Sequence, residues 1–279
     1  MKVTLWGTRG SLASGGPDTV QYGGDTAAVE LRGPAGEFVV LDAGSGIRPI
    51  GEQTPSGTKR VDILLTHLHM DHIQGLGFFS PLFDPEIEVH VWGPGSTTLG
   101  LRERLTRYLS PPLFPVMLRD LPDVTLHEIR PPASFALGSL TVRAELITHP
   151  GPTMGYRIES PECVLAYLPD HEPALGVAEF PDVPDWTSGF ELAHGVDVLI
   201  HDAQYTDDEY KSRVGWGHST FDHALAFAAL ASVKQLVTFH HDPGHSDEML
   251  DRAMAEMSES HDLEFELVPG RVGLTTCVD

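Results

Sequence analysis

His67, His69, Asp71 and His72 crowd four potential metal ligands into the short stretch Thr66-His-Leu-His-Met-Asp-His72. Neutral imidazoles and a carboxylate suit zinc, manganese or iron, and a divalent ion held there polarises an ester oxygen and acidifies a bound water. A lone histidine at a strand end is usually a satisfied polar residue. Three histidines and an aspartate packed together are poorly compensated without a cation. One loop cannot complete the shells of two ions, but three other segments offer donors. Leu146-Ile-Thr-His149, Ala166-Tyr-Leu-Pro-Asp170 and Val237-Thr-Phe-His240-His241 each run from apolar residues into a ligand-type side chain.

These donors can meet only if strands deliver them to one edge. The apolar run 61–65 reads as a buried strand emptying into the ligand-rich loop, with a helix starting at Ile73. Further strands are predicted over 2–6, 38–41, 88–92, 124–129, 140–147, 155–159, 164–168, 196–201, 235–239 and 263–268, and helices over 97–109, 220–231 and 247–259. Many strands follow one another without a crossover helix, while 224–231 is apolar on nearly every side, as a helix packed on a sheet would be. That pattern predicts two sheets flanked by helices. Val-Asp-x-Leu occurs at 61–64 and again at 196–199, a faint internal duplication. The glycine-bearing turn segment 7–25 can bring backbone amides close to a ligand.

His-x-His-x-Asp-His at 67–72, followed in order by a histidine, an aspartate and a histidine, resembles the metallo-β-lactamase superfamily. The resemblance implies an α/β fold, a four-layer αββα sandwich, here over residues 1–279 as one domain. It also implies two divalent metal ions: His67, His69 and His149 on one, Asp71, His72 and His240 on the other, and Asp170 bridging both. His240 is preferred to His241 because it directly follows the apolar strand. Leu199-Ile-His201-Asp202-Ala203-Gln204, Gly217-His218-Ser219-Thr220 and Gly155-Tyr156-Arg157-Ile158 are similar to segments of the ribonuclease Z-like phosphodiesterase branch, with departures at Asp202 and Gln204. Alternatively, Ser219 or Thr220 simply caps the Ala-rich helix.

On this reading the chain cuts small or cyclic phosphodiesters. A metal-bridging hydroxide is the expected nucleophile, and His218, oriented by Asp202, is the general acid; the catalytic set is His218, Asp202 and Asp71. Ribonuclease Z-like RNA processing, thioester or lactam hydrolysis, and a metal-bound ligand sensor without turnover are the alternatives. Arg9 and Arg48 lie in turns where an arginine meets phosphate, and Tyr205 and Trp216 flank the His-Asp and His-Ser-Thr segments, where a ring could stack. His171, His241 and His245 are placed around the site, whereas His90, His127, His194, His223 and His261 belong to no motif.

Composition narrows the partners. Forty acidic against 18 basic residues give a net charge of −22, which repels long polyanions and argues against a broad nucleic-acid footprint. No segment reaches the roughly 18 apolar residues of a membrane span, and no secretion signal is seen, so a cytoplasmic protein is expected. Cys163 and Cys277 are read as separate small residues in a reducing compartment. The acidic stretch 246–262 reads as a helix with a solvated face. A homodimer is implied by the resemblance alone.

Overall fold

A computed structural model of the chain describes residues 1–176, 180–260 and 263–277; His261 lies outside them. Among the described residues, strands form two seven-stranded sheets. The first contains β1 (Lys2–Gly7), β2 (Ala28–Arg32), β3 (Phe38–Leu41), β4 (Arg60–Leu64), β5 (Glu88–Pro94) and β6 (Val124–Ile129). The second contains β7 (Ala133–Leu137), β8 (Leu140–Leu146), β9 (Met154–Glu159), β10 (Val164–Leu168), β11 (Val198–Asp202), β12 (Gln235–Phe239) and β13 (Glu266–Pro269). A last short strand, β14 (Thr275–Thr276), returns to pair with β1 in the first sheet.

The two sheets repeat one plan. β1, β2 and β3 alternate in direction and β3 to β6 run parallel; β8, β9 and β10 alternate and β10 to β13 run parallel. β4 and β11 occupy matching places, but the Val-Asp-x-Leu echo is out of step: residues 61–64 lie within β4, whereas Val196 and Asp197 precede β11 (Val198–Asp202). Alternate side chains explain the layers. Val39 and Leu41 of β3 point into the inter-sheet core with Tyr156, Tyr167, Val237 and Phe239 of the other sheet. Their neighbours Phe38 and Val40 face outward, under α1 (Ile47–Glu52) and α3 (Leu101–Thr106). On the far side, Ala166, Leu168 and Leu199 pack beneath α4 (Phe190–Ala193), α6 (Phe221–Leu230) and α7 (Asp247–Ser260). The result is the expected helix–sheet–sheet–helix order. No helix among the described residues is long and apolar enough to cross a membrane.

Several local expectations change. β2, β7 and β14 were not predicted: β2 emerges directly from a glycine-rich turn, β7 is a half-buried edge strand after two prolines, and β14 has only two residues. The helix expected over 97–109 contracts to Leu101–Thr106, because Gly100 stays extended while its N–H donates to the Glu103 carboxylate at 3.0 Å. The strand expected over 263–268 is Glu266–Pro269. The acidic face of α7 is not merely solvated: Asp247 accepts from the backbone N–H groups of Gln21 and Tyr22, and Asp251 accepts from Gln21, Tyr22 and Arg271. The cysteines are not separate either. Cys163, in the β9–β10 turn, is disulfide-bonded to Cys277 beyond β14 with Cα atoms 5.9 Å apart, tying one sheet to the other.

Candidate metal centre

β4 ends at Leu64, and the chain runs through Thr66 and His67 before turning into a short helix, α2 (Met70–Ile73), which begins three residues earlier than expected. Asp71 and His72 therefore sit in its first turn while His69 precedes it in extended conformation. The second sheet contributes one residue per strand end. His149 follows β8, Asp170 follows β10, Asp202 closes β11, and His240 follows β12. His240 holds a left-handed backbone (φ 61°), which a non-glycine residue adopts at a cost. A Cβ on Gly10 would lie 2.4 Å from the His240 ring, so only glycine lets the first turn pass there.

Two donor groups result. Nε2 of His67 and of His149 each lie 3.7 Å from Asp170 Oδ2, and His149 Nε2 is 3.2 Å from His69 Nδ1. On the other oxygen, Asp170 Oδ1 is 2.9 Å from His72 Nε2 and 3.2 Å from His240 Nε2; Asp71 Oδ2 is 3.3 Å and 3.2 Å from the same two nitrogens. Within each group the donor atoms fall within 4.8 Å of one another. His67 Nε2 is buried with no hydrogen-bond partner, a costly arrangement for a centre that holds no cation. Six of the seven residues are buried, and His69 alone is exposed.

The remaining nitrogens are held in place. His72 Nδ1 is 2.9 Å from Asp42 Oδ2, His67 Nδ1 3.1 Å from Thr66 Oγ1, and His240 Nδ1 2.9 Å from Gln204 Oε1. His149 Nδ1 donates to the Gly217 carbonyl at 2.8 Å. Such partners fix ring orientation and raise donor basicity. Asp42 is fully buried, and it also accepts from the Thr66 N–H and hydroxyl and from the Tyr167 hydroxyl. The Ser11 N–H donates to Asp71 Oδ2 at 2.7 Å, so an amide of the glycine-bearing turn serves the centre.

Charge follows geometry. Burial opposes the charged form of His72, yet the Asp170, Asp71 and Asp42 carboxylates outweigh it and raise its pKa well above the usual imidazole range. Burial, then the neighbouring imidazoles, hold His67 well below that range; burial takes His149 down to about 4. The carboxylate field that favours a proton on His72 is one a divalent cation would satisfy.

Beside these groups, His218 Nδ1 is 2.7 Å from Asp202 Oδ2. The shorter carboxylate still reaches, because Asp202 lies on β11 itself; its Oδ1 accepts from the Ser219 and Gln204 N–H groups at 3.1 and 3.0 Å. The His218 ring stacks on His240 with centroids 5.0 Å apart. Burial lowers its pKa, but Asp202 and the more distant Asp170 and Asp71 raise it by more. Thr220 does cap α6, accepting from the His223 N–H at 3.0 Å, so capping and the His–Asp pair coexist.

Other candidates lie apart. Arg9 is fully buried, and its guanidinium donates to the carbonyls of Gly23, Asp242 and His245, leaving it unable to meet a phosphate. Arg48 makes an exposed pair with Glu52. His241 turns away: Nε2 faces the Gly270 carbonyl at 3.0 Å, and burial lowers its pKa to about 3. His171 packs against His201, and His245 pairs with Glu209. Tyr205 is buried edge-on to His218, while Trp216 is exposed. Asp42, Ser11 and Glu172 carry no sequence expectation, and Gln204 enters only as a departure from the phosphodiesterase branch. The first follows an apolar strand just as Asp170 does, a signal that was available. Glu172 is buried and accepts from the Gly215 and Gly217 N–H groups at 3.0 and 2.9 Å, fixing the turn that carries His218.

Comparison with known proteins places this centre in context. The family model described as "Beta-lactamase superfamily domain" matches residues 37–241. Ribonuclease BN of Cronobacter sakazakii is 27% identical over 265 residues, covering 78% of this chain and 83% of its own. Zinc-bound PqqB from Methylobacterium extorquens has the same fold, with a TM-score of 0.71 at 19% identity over 99% of each chain. So does a diphosphatase from the PhnP family, with a TM-score of 0.68 at 20% identity over 100% of this chain and 98% of that one.

Proposed function

The chain belongs to the β-lactamase superfamily, and from that premise we propose that it is a metal-dependent hydrolase of small or cyclic phosphodiesters. The observation that carries this reading is the meeting of two donor groups on opposite oxygens of one buried carboxylate, Asp170, with the His218–Asp202 pair alongside. His67, His69, His149 and Asp170 would hold one divalent ion, and Asp71, His72, His240 and Asp170 the other. Zinc is the first candidate, given zinc-bound PqqB, with manganese or iron as alternatives. Divalent ions bound there neutralise the non-bridging oxygens of a diester and bring the pKa of water toward ~7.

The chain's own side chains supply the rest. Asp202, acceptor-only when ionised, keeps the His218 proton on Nδ1 and stabilises the imidazolium, so Nε2 is free to give a proton to the departing oxygen. Gln204 and Asp42 fix the rings of His240 and His72, and the Ser11 N–H orients Asp71. The net charge of −22 opposes the many phosphate contacts of a long RNA, which favours a small diester over the processing that the name ribonuclease BN implies. The same reading carries a homodimer, to be checked by analytical ultracentrifugation.

The test is a substrate panel on the chain loaded with zinc or manganese: bis(p-nitrophenyl) phosphate, a cyclic mononucleotide, precursor RNA and a thioester. Turnover of the first two above the others, abolished by chelation, is the expected result. Binding of ions with no turnover of any diester would mean a sensor, and preferred thioester cleavage would place the chain in another hydrolase class.

A further inference from the structure

A cleft of about 370 Å³ opens beside the first donor group. One wall presents His67 and His69, and the other presents Arg104, Arg107 and Tyr108 from the end of α3; Leu113, Met70 and Pro152 supply apolar surface. This volume lies in the range that takes small organic ligands. Its charge is unusual for this molecule, because only 18 basic residues face 40 acidic ones in the whole chain. Cations in such a protein are expected to be paired, as Arg48, Arg60 and Arg252 are. The Arg107 guanidinium, by contrast, is exposed and has no hydrogen-bond or ion-pair partner among the described residues. Arg104 donates from Nη2 to the Pro94 carbonyl, and its Nε is buried without a partner. The Arg107 guanidinium has no protein partner among the described residues to compete with an anion, and Arg104 lines the same wall with its Nη2 held by the Pro94 carbonyl.

From this cleft we infer that the substrate carries a second anionic group beyond the diester, a terminal phosphate being the best match, and that Arg107 and Arg104 bind it. The inference rests on the phosphodiester reading: with the diester at the donor groups, a substituent on the His67–His69 side enters the cleft and its terminal oxygens face the arginines. Arginine's planar fork suits bidentate contact with phosphate, and the Leu113 and Met70 side chains suit the sugar or ring between the two charges. A cyclic mononucleotide, with one charge, would leave the arginine wall unused.

Isothermal titration separates the two readings, because it needs no bond cleavage. Thymidine 3′,5′-bisphosphate and thymidine 5′-monophosphate are titrated into the zinc-loaded chain, its Arg107→Ala and Arg107→Lys variants, and the Arg104→Lys variant. The bisphosphate should bind at least about tenfold tighter than the monophosphate, and Arg107→Ala should collapse that ratio toward one, with Arg107→Lys restoring part of it. Arg107 is exposed and unpaired, so folding is not at stake in its loss. A ratio near one in the parent chain, or a ratio untouched by Arg107→Ala and Arg104→Lys, overturns the inference. If the ratio behaves as expected while no diester is hydrolysed, the hydrolase proposal fails and the anion cleft stands; hydrolysis with no arginine-dependent ratio is the reverse.

Discussion

The two halves of the molecule share one strand plan but arm it differently. In the first, a single strand end delivers His67, His69, Asp71 and His72 within six residues, and the neighbouring strand end adds Asp42 behind them. In the second, β8, β10, β11 and β12 each give up one residue, so His149, Asp170, Asp202 and His240 come from positions spread over more than ninety residues. Parallel β10, β11 and β12 place their ends side by side, and β8, across antiparallel β9 from β10, points the same way and adds His149, so donors distant in sequence converge. The loop in the first half does locally what the fold does globally in the second.

The sharpest way to break this comparison is to remove the residue on which the halves meet. Asp170→Asn should lose ion binding in both groups, and with it activity, by more than the roughly 10- to 100-fold that losing a surrounding partner costs. Elemental analysis and diester turnover check it; retention of both ions would show that the halves bind independently.

His218→Ala should lower turnover by roughly 10² to 10⁴ while metal content stays intact. Loss of metal as well would make His218 a ligand and shift the division of labour toward the second half.

The partners of His72 and His240 sharpen the contrast, since the first half uses a carboxylate and the second an amide. Asp42→Asn should cut metal affinity by roughly 10- to 100-fold, and Gln204→Ala by less, because charge-assisted hydrogen bonds are about twice as strong as neutral ones. Competitive chelator titration ranks the two, and an equal or reversed ranking removes the distinction.

A smaller effect concerns pH. Behind the second half, His201 is buried against His171, and burial lowers its pKa to about 4 from 6.5. The unfolded chain therefore binds a proton in that window that the folded chain does not, so stability falls as pH drops from about 6.5 toward about 4, by roughly 3 kcal/mol in all. Urea unfolding of the metal-free chain at several pH values should show this slope, and His201→Phe should flatten it; an unchanged slope in that variant assigns it to other groups.

The same contrast decides what could be read from sequence. The crowded loop announced itself because four polar residues interrupt an apolar run, and His149, Asp170 and His240 were found because each ends such a run. Burial on both faces made most strands visible as apolar stretches, whereas β2 and the edge strand β7 lacked that signal. Gln204, Ser11 and Glu172 act through hydrogen bonds to residues 36, 60 and 43 or 45 positions away, and no local pattern encodes such pairings. Arg9 misled for the converse reason: its turn placed it correctly near a strand end, but three backbone carbonyls from elsewhere in the chain absorb it. Arg107 carried no signal, because an exposed arginine just past a short helix acquires meaning only from the cleft beside it.

Anomalous diffraction from crystals of the zinc-loaded chain tests the central claim most directly. Two peaks should appear, one beside Asp170 Oδ2 among His67, His69 and His149, the other beside Oδ1 among Asp71, His72 and His240. A single peak, or zinc bound away from Asp170, would contradict the account.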